Sequence, residues 1–178
     1  MSWQEFKPTV FFLLKFVGIY VVANLLYGAY VTRYRPHVDG ATREVTVQSA
    51  WFLSACGWPT TAVDDLAAPT TNMVFKTDNI LAVYEGCNGI NVAIIFIAFL
   101  VAFGPMGRNL LWFSVMGLFI LHVANLGRIV SLFWVAVYMP DAMYFTHKYL
   151  FTAFLYLVVF VLWIWWVRKY SGLRIPKA

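Results

Sequence analysis

Apolar residues along this chain gather into long runs, and four of them are long enough to matter to a bilayer: Thr9–Val31, Gly86–Gly104, Leu110–Gly127 and Leu150–Val167. As a helix rising about 1.5 Å per residue, Gly86–Gly104 covers about 28 Å, close to a hydrocarbon core about 30 Å thick. Lys15 lies near enough to the start of the first run to snorkel. The pattern predicts an all-α polytopic membrane protein with about four transmembrane helices, forming a single membrane domain over 1–178. Ser131–Met139 is apolar, continuous with the third run and too short to cross alone. The segment 129–139 is expected either as a helical extension at the outer interface or as a re-entrant piece closed by Pro140-Asp141.

Between the first two spans lies Thr32–Glu85, whose pattern predicts an ordered insertion. Asp39 to Trp58 reads as a helix carrying Val45, Ala50, Phe52 and Leu53. Met73–Phe75 and Ile80–Tyr84, joined by Lys76-Thr77-Asp78-Asn79, read as a short β-hairpin that delivers Cys87 stiffly to the second span.

Composition agrees with a bilayer as solvent. The chain is 62% hydrophobic and 12% charged, with mean hydropathy +0.73, against about 25% charged residues in average domains. A net charge of +5 would suit nucleic acid if it formed a patch, but the cations sit at span ends and anchor them instead. Lys7, Arg108, Arg168, Lys169, Arg174 and Lys177 share one side if there are four spans. The insertion carries Arg33, Arg35, Arg43 and Lys76 against the more numerous Asp39, Glu44, Asp64, Asp65, Asp78 and Glu85. This bias places both termini in the cytoplasm and 32–85 on the extracytoplasmic face of the cell (inner) membrane. The first run exceeds a signal-peptide core of about 7–15 residues and no small-x-small site follows it, so it reads as a retained span.

The cysteines, Cys56 and Cys87, form neither a CxxC nor a His/Cys cluster. Zinc and thioredoxin-like redox chemistry are poorly supported, and no metal or cofactor is expected. Cys87 stands in Glu85-Gly86-Cys87-Asn88-Gly89, where the first turn of a span would offer unpaired N–H groups and a dipole that favour a thiolate. Gly86 and Gly89 permit close approach and positive φ. The bland reading is a small residue filling a helix entrance, or half of a Cys56–Cys87 disulfide. Arg128 ends an apolar run with further apolar sequence behind it, and such a charge is by default a functional candidate. His122 and Asn125 share its stripe at spacings of three; for His122 an interhelical hydrogen bond is the simpler role. His147, one turn before the fourth span, supplies the base that a thiol nucleophile needs. Asn91 could donate to the site or merely pack, and Lys148 reads as an interfacial anchor.

Cys87 before one span, Asn125-Leu126-Gly127-Arg128 after another and His147 before a third resemble, in order, the exosortase/archaeosortase family of membrane cysteine transpeptidases. The short form is similar to the exosortase F type. The resemblance, strongest over Ile80–Phe151, implies catalytic Cys87, Arg128 and His147. It also implies an exported protein substrate with a C-terminal sorting signal, and a lipid or glycan of the envelope, or water, as acceptor. Larger members have about eight spans, so their Pro-Glu-Pro type signal does not transfer. The alternative is a non-catalytic membrane scaffold or assembly factor stapled by Cys56–Cys87, both cysteines being expected outside, where disulfides persist.

Overall fold

The structure, a computed structural model, describes residues 3–104 and 106–170. Arg174 and Lys177, used above to orient the chain, lie outside the described residues. The described chain is mostly helical: α1 (Trp3–Tyr34), α2 (Gly40–Ala55), β1 (Thr60–Asp64), β2 (Thr70–Phe75), β3 (Asp78–Tyr84), α3 (Ile90–Phe103), α4 (Arg108–Tyr138), the single turn α5 (Met143–Phe145) and α6 (Phe151–Tyr170). Two compact units result. Among the described residues, one holds 3–27, 90–104, 106–121 and 156–170, the other 28–89 and 122–155, so α1, α4 and α6 contribute to both.

Among the described residues, three helices are long and apolar enough to cross a membrane: Phe6–Tyr34, Arg108–Tyr138 and the helical run Pro140–Lys169. The first and last of these begin earlier than the expected spans 9–31 and 150–167. The second expected span, 86–104, is corrected more substantially. Its α-helix comprises only the 14 residues Ile90–Phe103, about 21 Å at ~1.5 Å per residue. Gly89, at φ 81°, breaks it from a 3-10 turn over Glu85–Cys87. The third span does not stop at Gly127. Residues 129–138 continue α4 without interruption and Met139 lies just beyond it, so the segment is helical and not re-entrant.

The first unit has a wholly apolar interior. Phe96 and Leu100 of α3 meet Leu110, Phe113 and Leu121 of α4 and Val159, Leu162 and Trp166 of α6. Rings complete it: Phe99 stacks on Trp163 at 4.3 Å between centroids, and Phe12 of α1 meets Phe99 and Phe103 edge-on at 5.8 and 5.4 Å. Gly117 lies where an added Cβ would strike the Phe96 ring, so its hydrogen is what lets that ring seat.

The second unit is built around a three-stranded antiparallel sheet of order β1-β2-β3. The expected hairpin is present, longer on both strands, and it turns at Lys76-Thr77 alone, Phe75 pairing Asp78. Lys76 takes φ 59°, the sense that suits a two-residue hairpin turn. β3 carries one residue, Ile80, more than its partner between the pairs Val74–Asn79 and Met73–Leu81, a bulge. β1 was not expected: Thr60-Thr-Ala-Val-Asp64 has little apolar content to announce a strand.

The expected 39–58 helix is α2, capped by the buried carboxylate of Asp39, whose Oδ1 accepts from Thr42 N at 3.0 Å. Val45, Ala50 and Leu53 of α2, Met73 and Val83 of the sheet and Ile129 and Phe133 of α4 close one core, and Cys87 belongs to it. Trp58 roofs it, 4.4 Å from the Trp134 ring and 5.0 Å from Phe75.

Candidate active site

Each side chain of the candidate site reaches it from a different element of the second unit. β3 ends at Tyr84 and the chain folds at once into the Glu85–Cys87 turn, so a paired strand fixes where the cysteine begins. On the far side of Cys87 the backbone is tied twice. Asn125 Nδ2 donates to the Cys87 carbonyl at 2.9 Å, and Asn88 Nδ2 donates to Thr42 Oγ1 at 3.2 Å. Thr42 in turn donates its hydroxyl to Asp39 Oδ2 at 2.6 Å, so the cap of α2 and the cysteine loop share one buried network.

Gly89 is obligatory here. Beyond its positive φ, an added Cβ would lie 3.1 Å from Asn125 Cγ. At Gly86 a Cβ would run into the Tyr84 ring. The close approach expected of both glycines is thus to Asn125 and Tyr84.

Arg128, three residues and so about one turn beyond Asn125 along α4, is 6% exposed. Its Nη2 stands 4.0 Å from Cys87 Sγ and 3.5 Å from His147 Nε2. Among the described residues no carboxylate lies within 4 Å of it, and its Nε has no hydrogen-bond partner. A buried cation without a counter-ion is costly to keep. It suits a site where negative charge forms only during reaction.

His147 arrives from a π-helical turn, Thr146–Leu150, inside the continuous run from Pro140. Such single wide turns recur at functional sites. Its Nε2 is 3.3 Å from Cys87 Sγ. Since guanidinium only donates, an imidazole nitrogen facing both Arg128 and the thiol is the accepting one, with the ring proton on Nδ1. The thiol can therefore hand its proton to Nε2.

Cys87 is not in the first turn of α3, so the expected helix-dipole activation is replaced by a different balance. Burial pushes its thiol pKa up, while the charge of Arg128 and hydrogen bonds from Tyr84 pull it down. Burial thus disfavours the thiolate, and the Arg128 cation beside it favours the thiolate. Tyr84 is the participant the sequence reading missed. It hydrogen-bonds the thiol and its ring centre lies 6.1 Å from that of His147. A tyrosine three positions before a cysteine carries no signal in sequence.

Asn91 is exposed in the first turn of α3, in the other unit. His122 Nε2 donates to Gln48 Oε1 of α2 at 2.8 Å, an interhelical bond. Lys148 donates to the Tyr144 hydroxyl at 2.6 Å, on the exterior. Both cysteines are free, Cys56 exposed at the end of α2 and Cys87 buried, so the disulfide of the scaffold alternative is not formed.

A cavity of about 200 Å³ opens on the thiol, lined by Leu81–Tyr84, Ile129, Leu132, Met143, Tyr144 and His147. Comparison with protein-family models, with curated proteins and with solved structures finds no match.

Proposed function

We propose that this chain is a membrane-embedded cysteine peptidase or transpeptidase of the exosortase type, acting on a C-terminal sorting signal of exported proteins. The observation that carries the reading is the convergence of Cys87, Arg128 and His147, from three distant stretches of sequence, within 3.3 to 4.0 Å. A buried thiol, an accepting imidazole and a guanidinium without a carboxylate partner form the minimal set for acyl transfer through sulfur.

The reaction follows from that set. Cys87 gives its proton to His147 Nε2 and the sulfur attacks the substrate carbonyl carbon. Arg128 stabilises the oxyanion. The C–N bond then breaks, the departing amine taking the proton from His147, and a thioester remains. An amine, hydroxyl or water gives its proton to His147 and attacks the thioester, and the C–S bond breaks as the sulfur takes that proton back from His147. An envelope lipid or glycan as that nucleophile makes the enzyme a transpeptidase; water makes it a protease.

In this reading α3 is a fourth span. Its fourteen residues, all apolar but Asn91, are short of a full crossing, a mismatch that local thinning or neighbouring helices accommodate. Four spans put the termini in the cytoplasm and the site at the extracytoplasmic face of the cell membrane.

The test is loss of the C-terminal tail from an exported protein that ends in a short motif, an apolar span and basic residues, in cells with and without this protein. Wild type and Cys56→Ser should process it, and Cys87→Ser should not while accumulating normally. Processing by Cys87→Ser would overturn the reading.

A further inference from the structure

β3 is an edge strand. In the order β1-β2-β3 it pairs only with β2, and among the described residues no strand lies on its other side. Alternate residues of an antiparallel edge strand turn both N–H and C=O away from the partner, leaving a row of unpaired groups at peptide spacing. Natural proteins blunt such edges with charge or proline. Leu81-Ala-Val-Tyr84 has neither.

The free edge also has a direction. The bulge at Ile80 marks where regular pairing resumes, and the four residues after it line the same cavity as Cys87 and His147. Across that cavity stand Ile129 and Leu132 of α4, each 1% exposed, and Met143. Strand edge, apolar wall and nucleophile thus form one slot. A folded helix would leave the edge groups unmatched. An extended chain would match them, as in other strand-addition complexes.

We propose that the outer edge of β3 is the peptide-docking strand: an extended substrate segment adds to Leu81–Tyr84 as a fourth strand, laying its scissile carbonyl against Cys87 Sγ. The inference rests on the peptidase reading and names how that site takes its substrate. The wall of Ile129, Leu132 and Met143 selects an aliphatic side chain beside the scissile bond and rejects a charged one.

The experiment uses the full chain in lipid nanodiscs and short peptidyl vinyl sulfones carrying an aliphatic residue next to the electrophile. Sulfur bonds to the β-carbon of the vinyl group and the α-carbon takes a proton, so labelling of Cys87 is read by intact mass. Each probe amide is N-methylated in turn, which removes one donor without altering the electrophile. Strand addition requires a period of two: methylation at alternate amides should slow labelling by about tenfold, the effect of losing one good hydrogen bond, with little change in between. Replacing the aliphatic residue by Asp should slow it at least as much. Labelling indifferent to methylation, or slowed equally at every amide, would overturn strand docking and leave the nucleophile standing. Failure of every peptidyl probe where iodoacetamide still labels Cys87 would overturn the peptidase reading and the docking with it.

Discussion

The two units of this chain solve the problem of an interior in opposite ways. Every buried polar or charged side chain described belongs to the unit formed by 28–89 and 122–155: Asp39, Thr42, Thr46, Ser49, Thr60, Thr71, Asn88, Asn125, Arg128 and Thr146. The other unit buries Phe96, Leu100, Phe113, Val159, Leu162 and Trp166 and no charge among its described residues. A bilayer offers helices no hydrophobic drive to associate, so the apolar unit depends on close packing of rings against small residues. The polar unit is held largely by satisfied hydrogen bonds, the exceptions among its described side chains being Asn125 Oδ1 and Arg128 Nε. Arg128 differs from the rest in carrying a charge with no carboxylate within 4 Å among the described residues, a cost that the proposed chemistry would account for.

That contrast breaks most sharply at Arg128. Arg128→Met should cut tail cleavage by about 10²–10³, the usual cost of one oxyanion donor. It should not lower thermal stability in detergent and should raise it by about 1 kcal/mol or more, since a buried, uncompensated charge is being replaced by an apolar side chain of similar length. A matching fall in stability would mean that the guanidinium is structural and that the two interiors obey the same rule.

His147→Ala should cost about 10²–10⁴ in rate and flatten the pH profile, because an acid–base group contributes through a proton it moves. The thiol supplies a second, independent profile. Burial raises the Cys87 pKa and Arg128 opposes that rise. Alkylation of Cys87 by a neutral reagent should therefore climb as pH increases through the alkaline range. In Arg128→Met the climb should shift to still higher pH, because the cation that favours the thiolate is gone. A shift to lower pH would contradict the assigned role.

The apolar unit should respond to volume and not to polarity. Gly117→Val forces a side chain into the Phe96 ring and should destabilise by about 1–3 kcal/mol, while cleavage per folded molecule stays near wild type. The smallest of these effects is expected at the seam of the polar network. Asn125→Ala removes the donor to the Cys87 carbonyl and should cost about 1–2 kcal/mol of stability, with a modest fall in rate from a loosened cysteine loop.

How far the sequence speaks differs between the units in the same way. Long apolar runs announce their helices without ambiguity, but they do not say where a helix stops. Gly89 and the 3-10 turn shorten the second run, and an uninterrupted backbone carries α4 through Arg128 to Tyr138. In the polar unit the helix beginning near Asp39 is legible, and two short apolar runs joined by Lys76-Thr77-Asp78-Asn79 mark the hairpin. The third strand and the roles of Tyr84 and Thr42 are contacts between distant positions, which a single sequence does not encode locally. Cys87, Arg128 and His147 were legible because each is out of place in its own neighbourhood. Asn125 was legible as a member of the Arg128 stripe, and its bond to the Cys87 carbonyl was not.

The wide turn at Thr146–Leu150 makes the site sensitive to chain length as well as to chemistry. A π turn is an α-helix that has taken in one residue more than its hydrogen-bond ladder holds. Deleting Tyr149 would let the ladder close as ordinary α-helix and wind the preceding residues by about 100° relative to those that follow, the angle per residue at about 3.6 residues per turn. The imidazole would swing away from the sulfur with every side chain of the site still present. In this chain a reading frame of one residue, carried by a single turn of helix, separates an aligned thiol–imidazole pair from a misaligned one.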